Sequence, residues 1–204
     1  MTLVKEPTMT SSEDAFLPEL RWSTASLGEL GSAVVIFSPD DDTVRASGLA
    51  RSEDDEPEVA AIGRMLEQLM SRLEELAPVT AEREMNPLPA ARGVVPEAIT
   101  AYAEGDAAAM DGLAVEQPGS EYRQAVWEAM RRVPAGKTAS YAELAQLAGR
   151  PQAHRAAASA CANNLIALAV PCHRIIRSDG QLGGYLYYGT ATKRELLRRE
   201  GARL

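Results

Sequence analysis

Residues 140–174 constrain the fold most strongly, because two short helices and an apolar run lead directly to a cysteine. Ser140-Tyr141-Ala142-Glu143 has the spacing of a capping box, which predicts a helix start. That helix is predicted to end near Gly149-Arg150. A second helix is predicted over 152–162, with Pro151 suited to its first turn. Two short helices joined by a tight glycine-containing turn predict a helix-turn-helix.

The apolar run at 165–170 is predicted to form a strand leading into Pro171-Cys172-His173-Arg174. Cysteine buried among apolar residues is usually inert. Nearby positive charge, in contrast, favours the nucleophilic thiolate. His173 and Arg174 therefore predict that Cys172 is reactive.

The other predicted elements indicate an α/β (α+β) fold with a small N-terminal β-sheet and a helical C-terminal half. Apolar periodicity predicts a long helix from Pro57 to about Ala77, and four prolines predict a linker over 78–96. The predicted domains are a disordered tail (1–19), an acidic N-terminal scaffold (20–118) and a C-terminal domain (119–204). The remaining predictions are strands at 20–25, 30–37 and 113–115, helices at 96–104, 122–133 and 192–200, and a glycine-hinged aromatic loop at 182–189.

Charge is distributed unevenly along the chain. Residues 1–118 contain 8 Lys and Arg against 23 Asp and Glu, a net charge of −15. Residues 119–204 contain 13 against 6, a net charge of +7. This asymmetry indicates a basic half that faces a polyanion such as DNA, although a solvated basic helix face explains it about equally well.

The residue counts exclude several classes of protein. Two cysteines, Cys161 and Cys172, are too few for a disulfide framework. The two histidines, His154 and His173, form no cluster with zinc-ligand spacing, so we expect no metal and no cofactor. No apolar run is long enough to span a bilayer, and residues 1–20 lack the apolar core of a signal peptide. We therefore expect a cytoplasmic protein without a membrane partner.

The second predicted helix has a smooth surface, because six alanines between positions 153 and 162 leave Arg155 as the projecting side chain. Such a helix either approaches another surface closely or packs against other helices. A cysteine nucleophile beside a DNA-binding helix is a rare combination, and it raises the possibility of chemistry on a base. That base must leave the stack and enter a pocket.

Residues 119–204 resemble the C-terminal domain of the O6-alkylguanine-DNA alkyltransferases, the methylated-DNA–protein-cysteine methyltransferases. Pro171-Cys172-His173-Arg174 is similar to the active-site signature of that family, and Tyr141, Arg155 and Asn164 stand at its spacing. The resemblance implies direct-reversal DNA repair. The alkyl group of O6-alkylguanine, and of O4-alkylthymine, would move irreversibly to Cys172 in a single-turnover reaction after base flipping. It also implies minor-groove binding to double-stranded DNA by a monomer, with cooperative binding along DNA left open.

The resemblance implies a role for each matching residue. Catalysis would use Cys172, His173 and Glu200, with a water relaying the proton. Tyr141 would help to rotate the nucleotide by its phosphate, and either Tyr141 or a backbone donor would protonate or hold the departing base. Asn164 would be the hinge between the recognition helix and the active-site strand. The DNA contacts implied are Arg155, which replaces the flipped guanine in the stack, and Ala156, Ala157, Tyr141 and Arg174.

The pocket residues implied by the resemblance are Pro171, Tyr185, Leu186, Tyr187 and Cys161. The loop between Tyr185 and Lys193 is one residue longer than in the family. The range of accepted alkyl groups is therefore the family property that is least transferable to this chain. Residues 20–118 fit the family loosely and imply an RNase H-like domain, followed by a winged-helix-like C-terminal domain.

Three other functions stay open at this point. A non-catalytic binder of alkylated DNA would lack the cysteine, which this chain keeps. A DNA-binding regulator with a redox-sensing thiol would suit Cys172 but leaves Asn164 and the aromatic loop unexplained. A cysteine hydrolase would have no use for a helix-turn-helix.

Overall fold

The computed structural model describes residues 18–53, 55–88 and 92–203. Most of the predicted disordered tail lies outside these residues, as do Asp54 and Pro89. Within the described part of the chain, no helix is both long enough and apolar enough to cross a membrane.

A four-stranded sheet in the order β3-β2-β1-β4 forms the N-terminal half. β1 (Leu20–Ser26), β2 (Ser32–Ser38) and β3 (Thr43–Ala50) are antiparallel neighbours, and β4 (Met85–Pro87) runs parallel to β1. The first two strands confirm the prediction. β3 was not predicted, because Arg45, Ser47 and Gly48 interrupt its apolar pattern.

The prediction that residues 78–96 form an irregular linker is wrong, because this segment contains a short helix and a short strand. α2 (Pro78–Ala81) begins on a proline, whose missing N–H is not needed at the first helical position. β4 ends on Pro87 at the sheet edge, where a missing ladder donor is tolerated. Pro78 and Pro87 therefore fit regular structure at element ends.

Two helices cover the sheet. α1 (Glu58–Leu76) confirms the predicted long helix and buries Ala61, Met65, Leu69 and Leu73, one residue per turn. Its first apolar residue, Val59, is instead 75% exposed. α3 (Val94–Glu104) packs against β1 and ends at Gly105 in the left-handed region.

The C-terminal half is mostly helical and contains the predicted helix-turn-helix. Ser140 caps α5 with the complete capping box, and α5 packs against α6. Pro151 lies in the turn before α6 and not in its first turn. The elements are α4 (Glu121–Arg131), β5 (Ala139–Ser140), α5 (Tyr141–Leu147), α6 (His154–Ala162), β6 (Ile175–Ile176) and α7 (Gly189–Arg199).

The strand predicted at 165–170 is wrong. This segment forms buried turns, with Leu168 at a φ of 66°, and residues 172–174 form a 3₁₀ turn. Because the segment is buried on every side, its sequence is apolar without periodicity, and such a run does not distinguish a strand from other buried structure.

The edge of β3 holds this buried segment in place. Ser47 donates its backbone N–H to Leu165 O at 3.0 Å and accepts from the Ala167 N–H at 3.2 Å. Its hydroxyl also donates to Ala167 O at 2.6 Å. One apolar core continues through both halves, so the sheet directly supports the segment that precedes Cys172. The boundary predicted at 117–119 stays a prediction.

Candidate active site

Cys172 lies beside a cavity of about 310 Å³ between α6, the start of α5 and the aromatic loop. Only 8% of Cys172 is exposed. The cavity therefore presents the sulfur at the bottom of a largely apolar recess. The residues lining it are Tyr141, Ala158, Cys161, Ala162, Cys172, Gly184, Tyr185 and Leu186.

The environment of Cys172 stabilises its thiol form. Burial raises the pKa of Cys172, and a hydrogen bond from Asn164 and the charge of Lys193 only partly oppose that increase. Nearby positive charge, from Lys193, does favour the thiolate, but burial outweighs it. The Arg174 guanidinium is engaged elsewhere, so a base has to activate the sulfur.

His173 and Glu200 form a buried pair behind Cys172. Nε2 of His173 lies 2.8 Å from Oε1 of Glu200, and both side chains are fully buried. Burial acts to raise the pKa of Glu200, but the hydrogen bond and charge of His173, and then those of Arg174, lower it to about 2. The carboxylate is therefore ionised at neutral pH and can orient and stabilise a protonated His173.

Arg174 is a structural residue in this site, which contradicts its predicted contact with DNA. Its guanidinium is 0% exposed. Nε donates to Oε2 of Glu200 at 2.9 Å, and Nη1 donates to Asp111 Oδ1 at 2.9 Å and to Val133 O at 2.8 Å. A guanidinium with its donors directed inward has no surface to offer a phosphate.

Asn164 connects the end of α6 to the segment before Cys172. Its Nδ2 donates to Val170 O at 2.7 Å and to Ile166 O at 3.1 Å. Its Oδ1 accepts from the side chain of Gln117 at 2.9 Å, and Gln117 in turn accepts from the Leu165 N–H at 2.8 Å. This network fixes the position of the recognition helix relative to Cys172.

Sequence reasoning missed three members of the site. Lys193, which had no predicted role, is buried and donates to Ile175 O, with its charge acting on Cys172 and Cys161. The Tyr102 hydroxyl donates to Oε1 of Glu200 at 3.2 Å. The carboxylate of Asp111 forms an ion pair with Arg174 and balances part of its positive charge. The apolar spacing of α3 indicates that Tyr102 faces inward. No sequence signal identifies Asp111.

The helix α6 turns one face outward and one toward the cavity. Arg155 and Ala156 are exposed, whereas Ala157 is fully buried in the core, which contradicts its predicted DNA contact. Tyr141 is half-buried at the cavity wall. Burial, followed by the neighbouring Cys161 and Cys172, raises the pKa of Tyr141 and keeps its hydroxyl protonated.

The predicted pocket residues divide into two groups. Tyr185, Leu186 and Cys161 line the cavity, and the Tyr185 ring meets His173 edge-on at 6.5 Å between centroids. Pro171 is buried outside the lining residues, and Tyr187 points to the sheet, where its hydroxyl donates to Ser47 O at 3.0 Å. These two residues therefore do not line the Cys172 cavity, although Tyr187 lines a neighbouring one.

Among the described residues, no group of three or more His, Cys, Asp or Glu side chains is arranged to hold a metal ion. Burial also raises the pKa of Cys161, so this second thiol is a poor nucleophile. Cys172 alone combines a cavity with a neighbouring histidine base.

A family model described as the 6-O-methylguanine DNA methyltransferase DNA-binding domain matches residues 121–202. The "Bifunctional transcriptional activator/DNA repair enzyme Ada" of Escherichia coli is 49% identical over 88 residues, which are 43% of this chain and 25% of that protein. A "Methylated-DNA--protein-cysteine methyltransferase" of Mus musculus is 45% identical over 87 residues, which are 43% of this chain and 41% of that protein. The match thus spans less than half of either relative.

The fold is similar over more of the chain than the sequence. The crystal structure of the Mycobacterium tuberculosis O6-methylguanine methyltransferase is 28% identical, with a TM-score of 0.61 over 91% of this chain and 94% of that one. This likeness includes the N-terminal sheet. It confirms the predicted α/β fold class.

Proposed function

We propose that this chain removes the alkyl group from O6-alkylguanine in double-stranded DNA and retains it on Cys172. The match of residues 121–202 to the model of the 6-O-methylguanine DNA methyltransferase DNA-binding domain supports this proposal. One observation carries the proposal. Cys172 faces a base-sized recess between Tyr141 and Tyr185, with the His173–Glu200 pair behind it. The same displacement would act on O4-alkylthymine.

The proton of Cys172 leaves through His173. Burial favours the thiol, so the sulfur needs a base as it attacks, and an imidazole accepts a proton near neutral pH. Within the described residues, the buried Nδ1 of His173 has no hydrogen-bond partner. That nitrogen is suited to a water that connects it to the thiol, while Glu200 holds Nε2.

The reaction is a single displacement. Sγ of Cys172 forms a bond to the alkyl carbon as the bond from that carbon to O6 breaks, and the electron pair stays on O6. The proton taken by His173 returns to the base, which leaves as unmodified guanine. Tyr141, protonated at neutral pH, donates a hydrogen bond to the departing base. Thioethers resist hydrolysis, so each molecule acts once.

DNA binds at the outer face of α6. Arg155 and Ala156 are exposed there, and Ala158, Cys161 and Ala162 of the same helix line the cavity. An alanine surface suits a narrow minor groove. The flipped base enters the cavity and Arg155 fills the gap that it leaves in the stack.

The test is peptide mass spectrometry after mixing the protein with a duplex that contains one O6-methylguanine. We expect one methyl group on the Cys172 peptide and a matching amount of restored guanine. Cys172→Ser should abolish both products. Cys161→Ser is the matched control, because this cysteine lines the same cavity, and it should retain transfer.

Other outcomes point to other functions. Preferential binding of the lesion without an adduct would support a non-catalytic binder of alkylated DNA. If the protein forms no adduct and also does not bind the lesion, repair is excluded. The redox-sensing regulator is then the remaining alternative.

A further inference from the structure

A second cavity of about 500 Å³ lies next to the Cys172 cavity, between α1 and the aromatic loop. The two cavities share Ala162 and Leu186 as lining residues. The other residues around the second cavity, which we call the α1 groove, are Met65, Gln68, Leu69, Ser71, Arg72 and Tyr187.

The α1 groove is suited to an uncharged, apolar group. Met65, Leu69 and the ring of Tyr187 supply apolar surface. The one cationic side chain, Arg72, is engaged by the carbonyl oxygens of Asn163 and Asn164 at 3.4 and 3.3 Å. An aromatic or aliphatic substituent therefore gains contact there without displacing a free charge.

Leu186, which lines both cavities together with Ala162, lies on an anchored loop. Tyr187 donates to Ser47 O at 3.0 Å, and the Tyr188 hydroxyl accepts from the Arg51 N–H at 2.9 Å. Leu186 precedes these anchors and is 56% exposed. Because Leu186 is exposed and lines both cavities, a change of its rotamer would widen their shared boundary while the loop backbone stays anchored.

We propose that the α1 groove is a subsite for the distal part of a large O6 substituent, such as a substituted benzyl group, whose reacting carbon lies at Cys172. The inference rests on the proposed function. The chemistry is unchanged, since Sγ bonds to the benzylic carbon, the bond from carbon to O6 breaks and guanine leaves with the proton. The groove would determine which O6 substituents are accepted, and it would not change the bond-making step.

The test compares single-turnover transfer from duplexes that contain O6-methylguanine or O6-(4-phenylbenzyl)guanine. Gln68→Trp and, independently, Ser71→Trp place an indole in the groove from exposed positions of α1. We expect each to slow transfer of the phenylbenzyl group roughly tenfold or more, and to leave methyl transfer unchanged. Glu67→Trp is the matched control, exposed on the same helix but outside the lining residues, and should change neither rate.

The outcomes separate the two proposals. Methyl transfer without any phenylbenzyl transfer would overturn the groove and leave the repair function standing. Phenylbenzyl transfer that both Trp variants leave unchanged would also overturn it. If the unmodified protein accepts no methyl group from the O6-methylguanine duplex, both the repair function and the proposed role of the groove are overturned. Melting curves of the three variants check that each is folded.

Discussion

Glu200 joins three side chains that come from distant parts of the sequence. Its carboxylate lies against His173, accepts from Arg174 and accepts from Tyr102. It therefore stabilises the base of the proposed reaction and balances a fully buried cation. Removing one member of a buried ion pair is costly, because the other charge is left in a medium that solvates it poorly.

Glu200→Gln is expected to lower the free energy of unfolding by about 3 kcal/mol, the lower end for a broken buried pair, because Asp111 still balances Arg174. The pKa of Glu200 is lowered from 4.5 to about 2 on folding. The carboxylate thus stabilises the fold fully above pH 4.5, and that stabilisation is lost as the pH falls toward 2. Urea unfolding across this range should show a flatter pH dependence in the variant.

Glu195→Gln is the control for this experiment. Glu195 lies on α7, the helix that ends just before Glu200, and pairs with the exposed Arg198. Its substitution should change neither the stability in this pH range nor the rate of alkyl transfer, whereas Glu200→Gln slows transfer. Equal effects of the two substitutions would mean that Glu200 does not balance Arg174.

The sequence was informative about the reactive residues and misleading about two cations. The resemblance implied roles for Cys172, His173 and Glu200, and the structure brings them together. The resemblance implied a DNA contact for Arg174, and no role was predicted for Lys193; burial of either was unexpected, because basic side chains are seldom fully buried without a partner. The partner of Arg174, Asp111, lies 63 residues away in the sequence, and no local pattern connects them.

At the scale of the element, the start of α5 decides where Tyr141 lies. Ser140 accepts from the Glu143 N–H at 3.2 Å, and Glu143 accepts from the Ser140 N–H at 2.7 Å. Tyr141 is the first residue of the helix, and it lines the Cys172 cavity. Fraying of this helix end would therefore move the tyrosine.

Ser140→Ala is expected to cost about 1 kcal/mol of stability and to slow alkyl transfer as well. Ser120→Ala is the matched control, because Ser120 caps α4 by accepting from the Arg123 N–H and lies outside the cavity lining. Thermal melts and transfer rates of both variants separate the two effects. If both slow transfer equally, the loss follows from stability and not from the position of Tyr141.

Elements whose sequence signals lie within a few residues could be predicted. Elements whose conformation depends on distant contacts could not. The capping box fixed the start of α5, and the apolar spacing fixed α1, because both signals lie within a few residues. The segment at 165–170 takes its conformation from contacts with β3 and Asn164. Its own apolar residues carry no information about those partners.

At the scale of the whole molecule, the N-terminal half supports the site directly. Ser47 on β3 bonds to Leu165 and Ala167 through its backbone and hydroxyl, and it also accepts from Tyr187. The sequence predicted an N-terminal scaffold domain and a C-terminal domain, with a boundary at 117–119. The continuous core and these bonds join them around Cys172.

Ser47→Ala is expected to cost about 1–3 kcal/mol and to slow alkyl transfer, because the buried Ala167 carbonyl loses its hydroxyl donor. Ser32→Ala is the matched control, a buried strand serine whose hydroxyl donates to Glu58 within the N-terminal half. Both variants should lose stability in denaturant titrations. Only Ser47→Ala should alter transfer, and unchanged transfer would contradict a supporting role for β3.

The position of β3 has one more consequence. An eight-residue strand at the end of a sheet presents unpaired N–H and C=O groups that can recruit strands from other molecules. Here the segment that leads to the reactive cysteine occupies part of that edge, at Ser47 and Ile166, and Val115 occupies another part next to Val44. Whatever loosens the segment before Cys172 also opens the edge to aggregation, so colloidal stability and the geometry of the reactive sulfur depend on the same few hydrogen bonds.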